Sequence, residues 1–216
     1  YTTLFRSEET RPGEYMPIYE NERGTFIFNS GDLCMIEHIP EMLEAGIDSF
    51  KIEGRMKTAL YVATVTRTYR KAIDDCLRDR ELYRRNMEWY REEIGKCTFR
   101  SYTTGFYFGK PGAESQIYDN STYIKNYTYL GTVEETDGAG RGRLTQKNKF
   151  SVGETIEIMK PDGRNLEAVV REIRTEDGEL QESAPHSKQV LWVGLEAEAG
   201  VEPYDILRRR EEQAGE

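Results

Sequence analysis

Apolar and polar positions change their spacing several times along this chain, and each change marks an element. In residues 1–30, aromatic and β-branched runs are broken by Pro12-Gly13 and by Asn21 to Gly24, which predicts short strands joined by turns. "DLCMIEHIPEMLEAGI" then takes helical spacing. Asp32 is placed to cap that helix, Pro40 must interrupt it or open a second short one, and Gly46 closes it. Over 48–53 the period falls to two, so that Phe50 and Ile52 face one way and Lys51, Glu53 and Arg55 the other, as in a strand. Helical spacing returns from about Thr58 to Leu77, with Val62, Val65, Tyr69, Ile73 and Cys76 as the expected buried stripe. A second helix over 81–94 buries Tyr83, Met87, Tyr90 and Ile94, and Gly95 ends it.

Beyond Gly95 the helical period is lost. Residues 96–126 are rich in Gly, Ser, Thr and aromatics, and read as an irregular connector that packs through its rings. From Tyr127 short strands alternate with turn signals, among them Asp137-Gly138, Asp162-Gly163 and Asp177-Gly178, which predicts a small all-β barrel. The fold class is α+β: residues 1–95 as the terminal part of an α/β, TIM-barrel-like domain, 96–126 as connector, and 127–212 as a small β-barrel domain.

Charge sharpens the division. Of 39 acids and 30 Lys plus Arg, residues 127–216 hold 19 and 12, so most of the net charge of -9 belongs to the second half. That balance opposes tight, sequence-independent binding of nucleic acid by the whole surface. Arg141, Arg143, Lys147 and Lys149 nevertheless cluster within the acidic half and are the candidate RNA-contact patch, ahead of the helical Arg67, Arg70, Lys71, Arg78, Arg80, Arg84, Arg85 and Arg91. Three widely spaced cysteines, Cys34, Cys76 and Cys97, write neither a disulfide framework nor a zinc site. No apolar run reaches the roughly 18 residues a membrane span needs, so a cytoplasmic protein is expected.

In a parallel α/β barrel the outward face of a strand meets helices, and polar inward residues gather at the carboxyl ends where sites are built. Lys51, Glu53 and Arg55 therefore read either as a charged cleft wall for an anionic group or as a structural ion-pair lattice. Glu37, His38 and Glu41 share one turn, but Pro40 disturbs metal geometry there, and no metal site is assigned. His186, in "SAPHSKQ", is expected in an exposed loop. Gly105, Gly109 and Gly112 neither follow a clean strand nor open a clean helix, which argues against a phosphate loop. Hydrolase motifs such as G-x-S-x-G and H-E-x-x-H do not occur.

The stretch from "RPGEYMPIYENERGTFIFNSGDLCMIEHIPEMLEAGIDSFKIEGRMKTALY" to "TTGFYFGKP" resembles the carboxyl-terminal part of the collagenase-like peptidase family U32. N-S-x-D-L, K-I-E-G-R-x-K and T-G-F stand in that family's order and spacing, and residues from Tyr127 resemble its C-terminal domain, a barrel similar to the second domain of translation GTPases. The resemblance implies a peptidase, with a protein such as collagen as substrate; related members are RNA hydroxylation proteins acting on tRNA or rRNA. It also implies a missing upstream barrel with signature cysteines, and an iron-sulfur cluster or metal there that does not carry over to Cys34, Cys76 or Cys97. The expectation is a C-terminal fragment, inactive alone, that contributes substrate binding or architecture, with no cofactor of its own. RNA hydroxylation and a protein-binding module are the alternatives. Dimerisation through unpaired strand edges of the α/β part is a further expectation.

Overall fold

A computed structural model describes residues 4–7, 9–10, 12–21, 24–26, 30–111, 117 and 123–211. The chain divides into two compact units, one spanning 1–37 and 99–124, the other 38–98 and 125–216.

In the first unit, β1 (Leu4–Arg6), β2 (Met16–Asn21) and β3 (Gly24–Phe26) form an antiparallel sheet with Phe5 opposite Pro17 and Glu20 opposite Thr25. Part of the expected turn between Asn21 and Gly24 lies outside the described residues. β4 (Asp32–Leu33) is followed, much later in sequence, by β5 (Thr98–Phe99) and β6 (Tyr102–Thr103). β4 and β6 pair in parallel, Asp32 beside Tyr102. Asp32 thus caps no helix; its carboxylate accepts hydrogen bonds from Arg100 N and Arg100 Nε, both at 3.0 Å. Charge-assisted hydrogen bonds of that kind are stronger than neutral ones and fasten the short parallel ladder.

A 3-10 turn spans Ile36–His38, and α1 (Ile39–Glu44) follows in the second unit, with Pro40 in its first turn and Gly46 N donating to Leu43 O at its end. α2 (Ala59–Arg78) starts where Thr58 accepts from Tyr61 N. Its buried face keeps part of the expected stripe, Val65 and Cys76, and adds small residues beside it. Leu60, Thr64, Val65, Thr68, Ala72, Asp75 and Cys76 are inside, while Val62 is exposed. A buried arginine meets this face at Thr64, whose Oγ1 lies 3.4 Å from Arg208 Nη1. The helix expected over 81–94 is two, α3 (Arg80–Arg85) and α4 (Met87–Ile94). They part at Asn86, whose amide donates to Asp75 Oδ2. Asp75 also accepts from Lys71 Nζ and Tyr90 Oη, so one carboxylate ties the three helices together.

After β7 (Ile124–Lys125) come β8 (Tyr127–Thr136), β9 (Gly142–Thr145), β10 (Phe150–Ser151), β11 (Thr155–Met159), β12 (Asn165–Thr175), β13 (Leu180–Gln181), β14 (Ser183–Ala184), β15 (Val190–Ala197) and β16 (Ile206–Arg210). The large sheet runs β11-β16-β8-β9-β15-β12-β13, and β11 pairs β12 as well, so six strands close on themselves. Alternate residues point inward: Leu130, Leu144, Phe150, Ile158, Val170, Ile173, Leu191, Val193 and Leu207 form the core. Of the turn signals, Asp137 builds a longer loop, accepting from Ala139 N and Arg141 N. A second cluster of Leu60, Cys97, Met159 and Ile206 packs helix against sheet.

Candidate nucleic-acid interface

The first unit carries a pocket built from its parallel ladder. Gly31 is required for the close approach, since a Cβ there would stand 2.2 Å from Ser101 O. Past β6 the chain makes two successive turns: Tyr107 N donates to Thr104 O and Gly109 N to Phe106 O, each at 3.3 Å. Gly105 and Gly109 adopt φ of 57° and 134° to allow them. Three consecutive aromatics are thereby held outward, Phe106 77%, Tyr107 56% and Phe108 62% exposed. The expected packing of the connector through its rings is met by Phe99 and Tyr102, stacked with centroids 4.5 Å apart.

Beside them a cavity of about 350 Å³ is lined by Gly31, Ser101, Thr103, Gly105, Phe108 and Lys110, among others. The Lys110 ammonium has no carboxylate partner among the described residues. Hydroxyls, exposed aromatic side chains and an unmatched cation suit a flat, hydrogen-bonding ligand that carries negative charge. The sequence displays this element as "TTGFYFGKPG", an aromatic run between glycines in the segment expected to be a connector. Gly112 lies outside the described residues.

In the second unit, Lys51, Glu53 and Arg55 stand exposed in a segment without strand pairing, while Phe50, Ile52 and Gly54 between them are half-buried. The two-residue alternation survives, but among the described residues no neighbouring strand supplies a ladder. Among the described residues the three form no ion-pair lattice. Glu53 Oε1 accepts from Arg55 N at 3.0 Å, and the Lys51 and Arg55 side chains meet no carboxylate among the described residues. His38 Nδ1 lies 3.4 Å from Glu41 Oε1, and His186 is exposed in a turn, as expected.

Of the expected basic patch of four, two are matched by carboxylates. Arg141 pairs with Asp137 and Glu172, and Arg143 with Glu134, Glu135 and Glu176. β8 and β12 flank β9 and β15 and bring their acids onto these arginines, a cross-strand effect that linear spacing hides. Lys147 and Lys149 remain exposed and without carboxylate partners among the described residues. Most helical cations are likewise matched, Arg70 by Asp74, Lys71 by Asp75, Arg80 by Glu44 and Arg84 by Glu81.

Hydrogen bonds from Arg174, and then from Arg141, hold the Glu172 carboxyl down at about 2. A folded pKa below the unfolded one means the pairing is intact at neutral pH and is lost only as pH falls through that low value. Carboxyl NMR titration of Glu172 is therefore expected to show a midpoint near pH 2. Changing Arg174→Gln should raise it toward the ordinary glutamate range; an unmoved midpoint would refute the assignment.

Two domain models cover nearly the whole chain: "Peptidase family U32" over residues 1–117 and "Peptidase family U32 C-terminal domain" over 125–208. They define a helix-and-sheet protein with a dedicated C-terminal sheet domain. The chain belongs to Peptidase family U32. It is 35% identical to tRNA hydroxylation protein P1 of Bacillus subtilis over 93% of this chain and 47% of that one. It is 34% identical to tRNA hydroxylation protein P of Escherichia coli over 88% and 41%. An uncharacterized protease of Methanocaldococcus jannaschii is 48% identical over 70% of this chain and 31% of its own length. The chain thus spans about half the length, or less, of these relatives. Among the described residues no helix is long and apolar enough to cross a membrane.

Proposed function

We propose that this chain is the RNA-engaging portion of a tRNA hydroxylation protein. The observation that carries the reading is the likeness to two tRNA hydroxylation proteins over about nine tenths of the chain. The outward aromatic run Phe106–Phe108 supports it, because unpaired nucleobases are bound by stacking on such rings. The collagenase-like peptidase expected from the sequence takes second place: a relative named as a protease is itself uncharacterized. Within this reading, residues 1–95 are the terminal part of a TIM-barrel-like domain, 96–126 a connector, and 127–212 a small β-barrel similar to the second domain of translation GTPases. Lys51, Glu53 and Arg55 then face the substrate cleft, and their unmatched charges support that role over a structural one. A cytoplasmic location follows from the same assignment.

Binding of unmodified tRNA to the 216-residue chain, read by fluorescence anisotropy at low salt, tests the proposal. Saturable binding is expected. Stacking of each base contributes about 1–3 kcal/mol, so the triple change Phe106→Ala, Tyr107→Ala, Phe108→Ala should weaken binding at least tenfold. Absence of tRNA binding at low salt, together with cleavage of gelatin by the pure chain, would favour the peptidase reading instead.

A further inference from the structure

We infer that one corner of the closed sheet, formed by residues 146–149 and 185–189, is a patch for the phosphate backbone of RNA. This rests on the reading of the chain as RNA-engaging. Two loops distant in sequence are stitched together there: Gln146 N donates to Gln189 O at 2.8 Å, and Lys188 N donates to Gln146 O at 3.0 Å. Lys188 is brought beside Lys147, a neighbour that the sequence did not suggest. It holds φ at 68°, an unusual backbone state for a residue with a side chain. The same corner includes Asn148, whose amide donates to Tyr129 O at 2.7 Å, and Lys149, whose carbonyl accepts from Arg209 Nη1 at 3.2 Å.

Charge distinguishes this corner from the rest of its domain. Residues 127–216 carry 19 acids against 12 bases, and most cations described there are held by carboxylates. Lys147, Lys149 and Lys188 are exposed and have no carboxylate partner among the described residues; the one ion pair touching the corner among those residues is Arg209 with Glu154. Three unmatched ammonium groups on adjoining loops of an acidic surface would repel one another without an anion to share. A chain of phosphates supplies such anions at regular spacing and rewards each contact by counterion release.

The slope of log affinity against log salt for tRNA counts those phosphates. Replacing all three lysines by Gln should lower its magnitude by about two to three, because each phosphate a lysine neutralises adds roughly 0.7–0.9 to the slope; each single change should lower it by about one such step. A control with Arg70→Gln, Arg84→Gln and Arg171→Gln removes three charges that already have partners, and should keep the slope close to the parent's. The exposed positions leave the thermal transition unchanged, which verifies that the variants are folded. If the triple variant keeps the parent slope, or the control falls as far, the patch is refuted while the proposed function stands. If the unaltered chain binds no tRNA at low salt, both fall.

Discussion

Replacing Glu93 by Ala should lower stability by about 3–5 kcal/mol, the scale of stranding a buried charge. The side chains of Glu93 and Arg208 are 1% and 0% exposed, and that of Arg67 is 7%. Glu93 Oε1 accepts from Arg208 Nη2 at 2.7 Å and also from Arg67 Nη2, while Oε2 accepts from Asn165 Nδ2 at 2.7 Å. Glu157 also pairs with Arg208, so the substitution harms Arg67 more, leaving only the carbonyls of Lys160 and Arg164 and the Asn165 amide oxygen to accept from it. For a chain of this size the destabilisation corresponds to a fall in Tm of roughly 10 °C. Glu93→Gln, which keeps hydrogen-bonding capacity and loses only charge, should fall between parent and Ala variant. A Tm unchanged by the Ala substitution would mean that the buried network contributes nothing.

Acid provides a second reading of the same network. Burial pushes the Glu93 carboxyl up, but Arg208, Arg67 and Lys96 more than offset it and hold the group below the ordinary glutamate value of 4.5. A depressed folded pKa contributes stability above the unfolded pKa and loses it as pH falls. The parent should therefore lose stability progressively below about pH 4.5, more steeply than Glu93→Gln, which has no proton to take up there. Parallel pH curves would contradict this.

Gly31→Ala is expected to break the first unit's parallel ladder while leaving the closed sheet intact. The added Cβ would meet Ser101 O at 2.2 Å and Thr103 Cγ2 at 3.4 Å, and the nearer obstacle is backbone, which has no rotamer to change. β4 must move away from β6, giving up Asp32 N to Ser101 O at 3.1 Å and Cys34 N to Thr103 O at 2.9 Å. Overpacking of this kind costs about 1–3 kcal/mol. Amide exchange should accelerate at Asp32 and Cys34 and stay unchanged in β8 and β15, because those strands belong to the other unit. Equal acceleration in both would show that the units do not open independently. Affinity for tRNA should drop with the ladder, since Gly31, Ser101 and Thr103 line the pocket.

Much of the fold could be read from periodicity, and the failures share a cause. Alternation of Leu130, Leu144, Val193 and their neighbours disclosed the strands because one face of each meets an apolar core. The stripe on α2 was found only in part, at Val65 and Cys76, because its inner face also carries Thr64, which meets Arg208 and Met159, and Thr68 and Ala72, small residues that hydrophobicity does not report. Asn86 divides α3 from α4 by answering Asp75, a partner eleven residues away that helical propensity does not register. The proposed patch was legible in its residue types but not in its grouping. Lys147 and Lys149 were visible, Lys188 was not, and Arg141 and Arg143 looked free only until the strands beside them delivered Glu134 and Glu172.

The Arg67–Glu93–Arg208 cluster also bears on how portable the C-terminal sheet domain is. Domain models place a seam near residue 125, and a graft of 125–208 onto some unrelated partner would respect it. Arg208 would travel with the graft, Glu93 and Thr64 would stay behind, and Arg67 would lose the carbonyls of Lys160 and Arg164. Each half would inherit an arginine whose counterparts are elsewhere. The sheet domain is thus a poor cassette for recombination, unless the helices that neutralise it move as well.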